Sequence, residues 1–339
     1  MDPCAKRQLG STGVELPQLG FGGATLGGNR LFTEEDQALA TVRAACDMQL
    51  SYFDTAPVYG LGLSEHRLGH VLRQQPRNSF VLSTKVGRLL RRPKDVDRFH
   101  QEKWKGGLSF EWDFNYTYDG IMRSYDGSQQ RLGMPCIDLL LIHDLDYYVH
   151  KTEDVIQTYK KQLSDSGWKA LDELRSTGQI SGIGVGINEL RIVPWLVEYL
   201  DIDFLLLALP YTLLNQEAIA DTLPHCLEWG ISVVIGAPYC YGLMAIDPDD
   251  PAQATPWEGK PELAKAQKIS AVCRRHSVPL RAATLQFPLG HPAVISMIPG
   301  PNSPEQVRDN MDMMQAQIPV DLWAELKAEG LIHGSAPTP

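Results

Sequence analysis

Eight short apolar runs recur along the chain, and segments of helical pattern separate them. The runs have the length and composition of buried strands, and they cover residues 18–21, 51–53, 80–84, 137–142, 180–185, 204–209, 231–235 and 293–298. Helical spacing of apolar residues covers residues 33–48, 64–74, 118–132, 163–177, 190–200, 217–229 and 263–276. This alternation predicts parallel strands covered by helices.

Eight strand–helix units in a chain of 339 residues predict an α/β fold of the (β/α)₈ TIM barrel type, with residues 1–339 forming one domain. A doubly wound sheet is the alternative. It would be expected to carry G-x-G-x-x-G after its first strand, and the glycines at 20–23 and 182–186 do not have that spacing. Ahead of the first barrel strand, residues 7–9 and 14–16 flank a Gly-Ser-Thr-Gly turn. We expect this N-terminal β-hairpin to close the bottom of the barrel.

Composition narrows the classes of partner. The net charge is -10, which disfavours binding to nucleic acid, and no apolar run approaches the ~20 residues of a membrane helix. The six cysteines are scattered and form no C-x-x-C pair, and the N-terminus has no apolar signal core. The sequence therefore predicts reduced thiols, a cytoplasmic location, and no contact with membranes or nucleic acid.

Two connections are unusually long, and both follow strands, so they lie on the C-terminal face of the predicted barrel. Residues 89–117 are rich in aromatic and charged side chains, and residues 239–261 form the second connection. Long loops in compact domains are often functional, so we expect them to form a lid and a wall for a substrate. The basic residues at 88, 91, 92 and 94 are interpreted as a solvated part of the first loop.

Polar residues stand where three of the strands end. Asp54 follows the second strand with Tyr59 five residues later, Lys85 follows the third, and His143 follows the fourth. Because the C-terminal ends of parallel strands meet on one face of a barrel, these four side chains are predicted to converge. Each residue type alone is more often structural, and the joint placement is what indicates a catalytic site.

The four side chains suit proton transfer at an oxygen bonded to carbon. A tyrosine with an ordinary pKa of about 10 is a poor acid or base at neutral pH, and a nearby ammonium favours the phenolate. Lys85 is expected to lower the pKa of Tyr59 in this way, while Asp54 holds Lys85 by an ion pair. His143 can orient the substrate oxygen. A hydride must move at the same carbon, which requires a cofactor.

An alternative set of ligands is present beside the histidine. His143, Asp144 and Asp146 would suit a metal-dependent barrel hydrolase. No further His-x-His or carboxylate cluster stands at a strand end, so the sequence favours no metal.

The motifs at 53–60, 84–85, 137–143 and 182–185 together resemble the aldo-keto reductase superfamily. The resemblance extends from about residue 7 to the C-terminus. It implies a (β/α)₈ barrel, an extended nicotinamide dinucleotide, and a catalytic tetrad of Asp54, Tyr59, Lys85 and His143 with the tyrosine as general acid/base. The segments 118–124, 131–133, 211–214 and 322–332 are similar to the branch that holds D-threo-aldose 1-dehydrogenases, L-fucose and L-galactose dehydrogenases and pyridoxal 4-dehydrogenase.

The same resemblance implies a set of cofactor contacts, namely Asn188, Gly300, Ser303, Gln306, Asp309 and Asn310. Members that prefer NADP carry basic residues where this chain has Gly300 and Gln306, so NAD is the expected cofactor and NADP the less favoured one. The aromatic residue that often stacks on the nicotinamide aligns with Gly236, and Tyr239 is a candidate to replace it. Trp112 is a candidate to stack on the substrate ring, and Tyr239 is a second candidate substrate contact.

The resulting expectation is an NAD-dependent oxidoreductase that oxidises a cyclic hemiacetal at C1 to the lactone, with an aldose such as L-fucose, L-galactose or D-arabinose as substrate. A pyridoxal 4-dehydrogenase and a general aldehyde reductase are the alternative enzymes. A cofactor-sensing subunit without catalysis is the alternative outside enzymes. A small molecule is the only partner predicted, and the oligomeric state is left open.

Overall fold

Eight parallel strands form the centre of the computed structural model, which describes residues 1–29, 31–96, 99 and 103–339. The strands are Phe21–Gly22, Tyr52–Asp54, Val81–Val86, Leu139–His143, Gly182–Ile187, Phe204–Ala208, Ser232–Gly236 and Val294–Ile298. Each pairs with the next in chain order, and a parallel bridge between Leu19 and Met297 joins the two ends. The predicted barrel is confirmed. The doubly wound alternative is wrong. In a doubly wound sheet the order of the strands reverses next to the first strand, whereas here the strands follow chain order throughout.

Helices cover the outside of the strands. They are Glu35–Asp47, Leu63–Leu72, Tyr118–Leu132, Tyr147–His150, Glu153–Gln162, Trp168–Ser176, Val193–Tyr199, Thr222–Glu228, Pro251–Ala254, Pro261–Arg275, Leu280–Gln286, Pro304–Gln315 and Val320–Ala328. The helix predicted at 163–177 begins as a π-helical turn, Leu163–Gly167, that continues directly from Glu153–Gln162. The segment Glu153–Gln162 is mostly polar, with Ile156 as its buried residue, so the spacing of apolar residues did not predict it as helix.

The N-terminal hairpin pairs Lys6–Gln8 with Glu15–Pro17 in antiparallel fashion. Leu9 and Leu16 are completely buried in one apolar cluster with inward side chains of the barrel such as Leu139, Leu141 and Phe204. The hairpin therefore closes the bottom of the barrel, as predicted. Since side chains alternate along a strand, the residue two places beyond Leu141 also points inward, and that residue is His143.

The two long connections lie over the opposite end. The first connection contains an antiparallel ribbon, which we call the flap hairpin. It pairs Arg88–Arg91 with Glu111–Phe114 and begins one residue before the predicted loop 89–117. Residues 97, 98 and 100–102 of this connection lie outside the described residues. The second connection holds the turns Cys240–Ala245 and Thr255–Trp257 around the helix Pro251–Ala254. Among the described residues, no helix is long and apolar enough to cross a membrane.

Candidate active site

A buried ion pair lies at the C-terminal end of the second and third strands. The Lys85 ammonium donates to Asp54 Oδ2 at 2.6 Å and to the carbonyl of Thr55 at 2.8 Å. The two charged residues are 1% and 2% exposed. The hydroxyl of Ser83 donates to the other oxygen, Asp54 Oδ1, at 2.7 Å. Both charges are therefore compensated and held in fixed positions.

Tyr59 lies against this pair. The Lys85 nitrogen is 4.8 Å from the centre of the Tyr59 ring, so the ammonium lies next to the phenol. The ring of His143 approaches the phenol edge-on, with the ring centres 5.8 Å apart. The structure thus brings together the four side chains that the sequence placed at successive strand ends.

The protonation of Tyr59 differs from the expectation. Burial raises its pKa, the Lys85 ammonium lowers it, and the carboxylates of Asp54 and Asp144 raise it again, so that the pKa stays above its ordinary value. Burial by itself would lower the pKa of Lys85, but Asp54 and Tyr59 raise it above its ordinary value. The lowering effect that the sequence predicted for Lys85 is present, but burial and the two carboxylates outweigh it in the pKa of Tyr59. The ammonium offsets part of the cost of burying the phenol.

His143 is neutral in this environment. Burial holds its pKa well below the ordinary value, and the cations of Arg88 and Lys85 lower it further against the opposing effect of Asp144. Its Nε2 lies 3.4 Å from Asp144 Oδ2, and the hydroxyl of Tyr116 donates to its backbone carbonyl at 2.7 Å. Nδ1 is buried with no hydrogen-bond partner among the described residues. A proton on Nε2 best fits this arrangement.

A cavity of about 650 Å³ extends from these residues across the mouth of the barrel. Its lining includes most of the predicted site residues, namely Asp54, Tyr59, Lys85, His143, Asn188, Tyr239, Gly300, Gln306, Asp309 and Asn310. Ser303 and Trp112 do not line it. Ser303 caps the helix Pro304–Gln315 by accepting from the Gln306 backbone at 3.4 Å. Trp112 packs on the flap hairpin with its ring 6.0 Å from the Arg88 guanidinium.

The middle of the cavity offers an amide acceptor. The Asn188 side-chain nitrogen donates to Asp144 Oδ1 at 2.9 Å and to Asp146 Oδ2 at 3.0 Å. Both of its hydrogens are thereby used, so the Asn188 carbonyl oxygen is left to accept. Gly236 also lines the cavity, and Leu206 Cδ2 lies 2.9 Å from the position that a Cβ of residue 236 would take.

The far end of the cavity is formed by the start of the helix Pro304–Gln315. Asn310 accepts from the Tyr239 hydroxyl at 2.7 Å, and the Asp309 carboxylate pairs with Arg281 at 2.8 Å. In the segment 300–310, all of which is described, the lining residues include Glu305 and Asp309 and no Lys or Arg.

Sequence reasoning missed two lining residues. The centre of the Trp104 ring lies 5.6 Å from that of Tyr59, with the rings tilted by 43°, and the position of Trp104 on the long loop gave no sign of this contact. Arg88 was interpreted as solvated, whereas it is 7% exposed and forms an ion pair with Asp144. The position of Arg88, three residues beyond Lys85 at a strand end, was the available signal.

The metal hypothesis finds no support in the donor arrangement. Among the described residues, no group of three or more His, Cys, Asp or Glu side chains is placed to hold a metal ion. Asp144 is engaged by Arg88 and Asn188, while Asp146 caps the helix Tyr147–His150.

Comparison with known proteins agrees with this geometry. Residues 18–329 match the Aldo/keto reductase family. The chain is 39% identical to a pyridoxal 4-dehydrogenase of Microbacterium luteolum, covering 96% of this chain and 98% of that protein. It is 38% identical to a D-threo-aldose 1-dehydrogenase of a Pseudomonas species, covering 97% of each.

Solved structures agree as well. An aldo-keto reductase from Bacillus halodurans in its holo form superposes with a TM-score of 0.74 at 23% identity, covering 98% of both chains. A glycerol dehydrogenase from Gluconobacter oxydans gives 0.73 at 21% identity, covering 100% of this chain and 98% of that one. The chain therefore belongs to the aldo/keto reductase family and is an NAD(P)-dependent oxidoreductase that acts on a CH–OH group or the corresponding aldehyde.

Proposed function

We propose that this protein is an NAD-dependent dehydrogenase that oxidises the C1 hydroxyl of a cyclic hemiacetal, in the first place an aldose, to the lactone. The observation that carries the proposal is the buried Asp54–Lys85 pair directly beside Tyr59 and a neutral His143, all facing one cavity. A phenol in contact with an ammonium can exchange a proton with a substrate oxygen.

In the proposed reaction, Tyr59 as phenolate accepts the C1 hydroxyl proton, and the charge of Lys85 stabilises that phenolate. Asp54 keeps Lys85 protonated, because the carboxylate raises the pKa of the lysine. The Nε2–H of His143 donates to the same substrate oxygen and fixes its direction. A nicotinamide dinucleotide, when bound, supplies the acceptor for the C1 hydride.

The cavity suits such a cofactor. The free carbonyl oxygen of Asn188 can accept from a carboxamide, and the cavity of about 650 Å³ beside it has room for a flat ring. At the far end, residues 300–310 contribute no Lys or Arg to the lining, and the neighbouring Arg281 is engaged in its ion pair with Asp309. A 2′-phosphate would find no unpaired basic partner among these residues, which supports NAD over NADP.

The substrate class rests on the relatives together with the site. A D-threo-aldose 1-dehydrogenase and a pyridoxal 4-dehydrogenase are 38% and 39% identical to the chain. Both substrate types form cyclic hemiacetals whose oxidation yields a lactone, so one mechanism serves either. Pyridoxal is accordingly the second candidate substrate.

The test is the formation of NADH or NADPH with L-fucose, L-galactose, D-arabinose or pyridoxal, each with NAD⁺ and with NADP⁺. Turnover of a sugar with NAD⁺ is the expected result. Turnover of pyridoxal alone would retain the mechanism and replace the substrate. No turnover of any of the four, with NADH still binding, would contradict the proposed substrate class.

A further inference from the structure

Arg88 and Asp144 form an ion pair inside the active-site cavity, and the proposed reaction does not use it. Arg88 opens the flap hairpin directly after Gly87, whose φ of +100° turns the chain at the end of the third strand. Asp144 follows His143 with a φ of +53°, which is uncommon for a residue other than glycine. Such conformations persist where the surrounding structure enforces them, and they cluster at functional sites.

The pair is held rigidly from both sides. The Arg88 guanidinium carbon lies over the Phe114 ring, 4.7 Å from its centre, in a cation–π contact. Asn188 donates to Asp144 Oδ1 at 2.9 Å. Burial by itself would raise the pKa of Asp144, but His143, Arg88 and Asn188 lower it below its ordinary value, so the carboxylate is charged.

The pair also retains hydrogen-bonding capacity. Arg88 Nε is buried and has no hydrogen-bond partner among the described residues. A buried, unsatisfied donor on a charged group is costly, and such groups call for a partner. Nε is enclosed by protein, whereas the Asp144 carboxylate uses only part of its roughly four acceptor sites for Arg88 and Asn188. Because Arg88 and Asp144 both line the cavity, a bound molecule can use the remaining acceptor sites.

The spacing indicates which group of the substrate would bind. Asp144 Oδ2 lies 3.4 Å from His143 Nε2, the atom that holds the reacting oxygen in the proposed mechanism. The two oxygens of a gauche vicinal diol are about one hydrogen-bond length apart, roughly 2.8 Å, so both can be bound side by side across this gap. A hydroxyl both donates and accepts, which matches a carboxylate paired with an arginine.

We propose that Arg88 and Asp144 form a specificity subsite for a hydroxyl group on the carbon next to the reacting carbon. The inference rests on the proposed function, and it separates the two candidate substrates. An aldose carries this hydroxyl at C2. The hemiacetal carbon of pyridoxal is bonded to a ring carbon that carries no hydroxyl, so the subsite favours a sugar.

The experiment compares pairs of substrates that differ only in this hydroxyl. One pair is L-fucose and 2-deoxy-L-fucose, oxidised with NAD⁺. The other pair is lactaldehyde and propanal, reduced with NADH, which needs no sugar activity. For the wild type we expect kcat/KM to be about 10- to 100-fold higher for the hydroxylated member, as for a hydrogen bond to a charged group.

Asp144→Asn and Arg88→Lys should each reduce that ratio at least about five-fold, because the charged acceptor or the guanidinium that pairs with it is lost. The ratio is the informative quantity, since damage to the proton- and hydride-transfer groups lowers both members of a pair equally. Asp113→Asn is the matched control. It removes a carboxylate paired with Arg91 on the same flap hairpin, outside the cavity lining, and should keep the wild-type ratio.

Two results would overturn the subsite. One is a wild-type ratio near one, and the other is an equal loss for both members in the variants, which would make the pair purely structural. If neither sugar is oxidised while lactaldehyde is still preferred to propanal, the proposed function fails and the subsite stands. Thermal unfolding of each variant establishes that it is folded, and if one variant does not fold, the other decides.

Discussion

Removal of both members of the buried Asp54–Lys85 pair should destabilise the fold by less than the sum of the two single removals. The informative set is Asp54→Asn, Lys85→Met and the double variant. The ion pair is 2.6 Å long, and both side chains are almost completely buried. Each single change therefore leaves one buried charge without its partner.

The magnitude follows from that burial. Breaking a buried ion pair on one side typically costs about 3–5 kcal/mol. For a chain of 339 residues, an unfolding entropy of about 2.1 cal/mol/K per residue converts this loss into a decrease in Tm of about 4–7 °C. Asp54→Asn should fall at the lower end, because Lys85 keeps its hydrogen bond to the Thr55 carbonyl and Ser83 can still donate to the asparagine oxygen.

The double variant removes both charges at once, so its loss should be smaller than the sum of the single losses by at least about 2 kcal/mol. Its activity should not recover with its stability, because Lys85 no longer supports Tyr59. In Asp54→Asn, the carboxylate that raises the pKa of Lys85 is also lost, and burial then favours the neutral amine. All three variants should therefore lose most of their turnover.

The assay is urea unfolding followed by circular dichroism, together with kcat/KM for a substrate that the wild type accepts. The exposed pair of Arg275 with Glu325 is a suitable control, because its removal should cost less than about 1 kcal/mol. Losses that add to within about 0.5 kcal/mol would refute the coupling. Full activity of the double variant would refute the assigned role of Lys85.

Three further changes test other parts of the account. Burial lowers the pKa of His150 to about 4 in the folded protein, whereas the unfolded chain binds this proton below about pH 6.5. Between these two pH values the free energy of unfolding therefore falls with falling pH, by up to about 1.4 kcal/mol per pH unit. His150→Phe should show a smaller decrease in Tm than the wild type between pH 7 and about pH 5, and an equal decrease would contradict this. Gln306→Arg should raise the kcat/KM ratio of NADP⁺ to NAD⁺ at least about ten-fold by adding a phosphate partner, and an unchanged ratio would count against the assigned far end of the cavity. Gly167→Ala would place a Cβ 1.9 Å from the Tyr116 carbonyl oxygen and should cost about 1–3 kcal/mol in urea unfolding, whereas wild-type stability would show that this contact relaxes freely.

The barrel and the convergence of the tetrad could be predicted because both depend on local periodicity. Alternation along a strand sends Leu139, Leu141 and His143 to the same side, and parallel strands bring their C-terminal ends together. These rules need only the order of residues within each strand and the order of the strands.

The remaining features depend on packing between distant segments. The sequence could not distinguish Trp104, which contacts Tyr59, from Trp112, which packs on the flap hairpin, because both lie on one long loop. Arg88 is buried because it contacts Phe114, which lies 26 residues further along the chain. The direction of the Tyr59 pKa likewise depends on how completely the phenol is desolvated, which residue types do not specify.

The central claim is that the hydroxyl of Tyr59 exchanges the proton of the reaction. The most direct measurement compares Tyr59→Phe with the wild type in single-turnover formation of NADH and, separately, in NADH binding. The account predicts that the rate falls by about 10²- to 10⁴-fold, as expected for the loss of a general acid/base, while the Kd for NADH changes little. Turnover near the wild-type rate in the phenylalanine variant would contradict it.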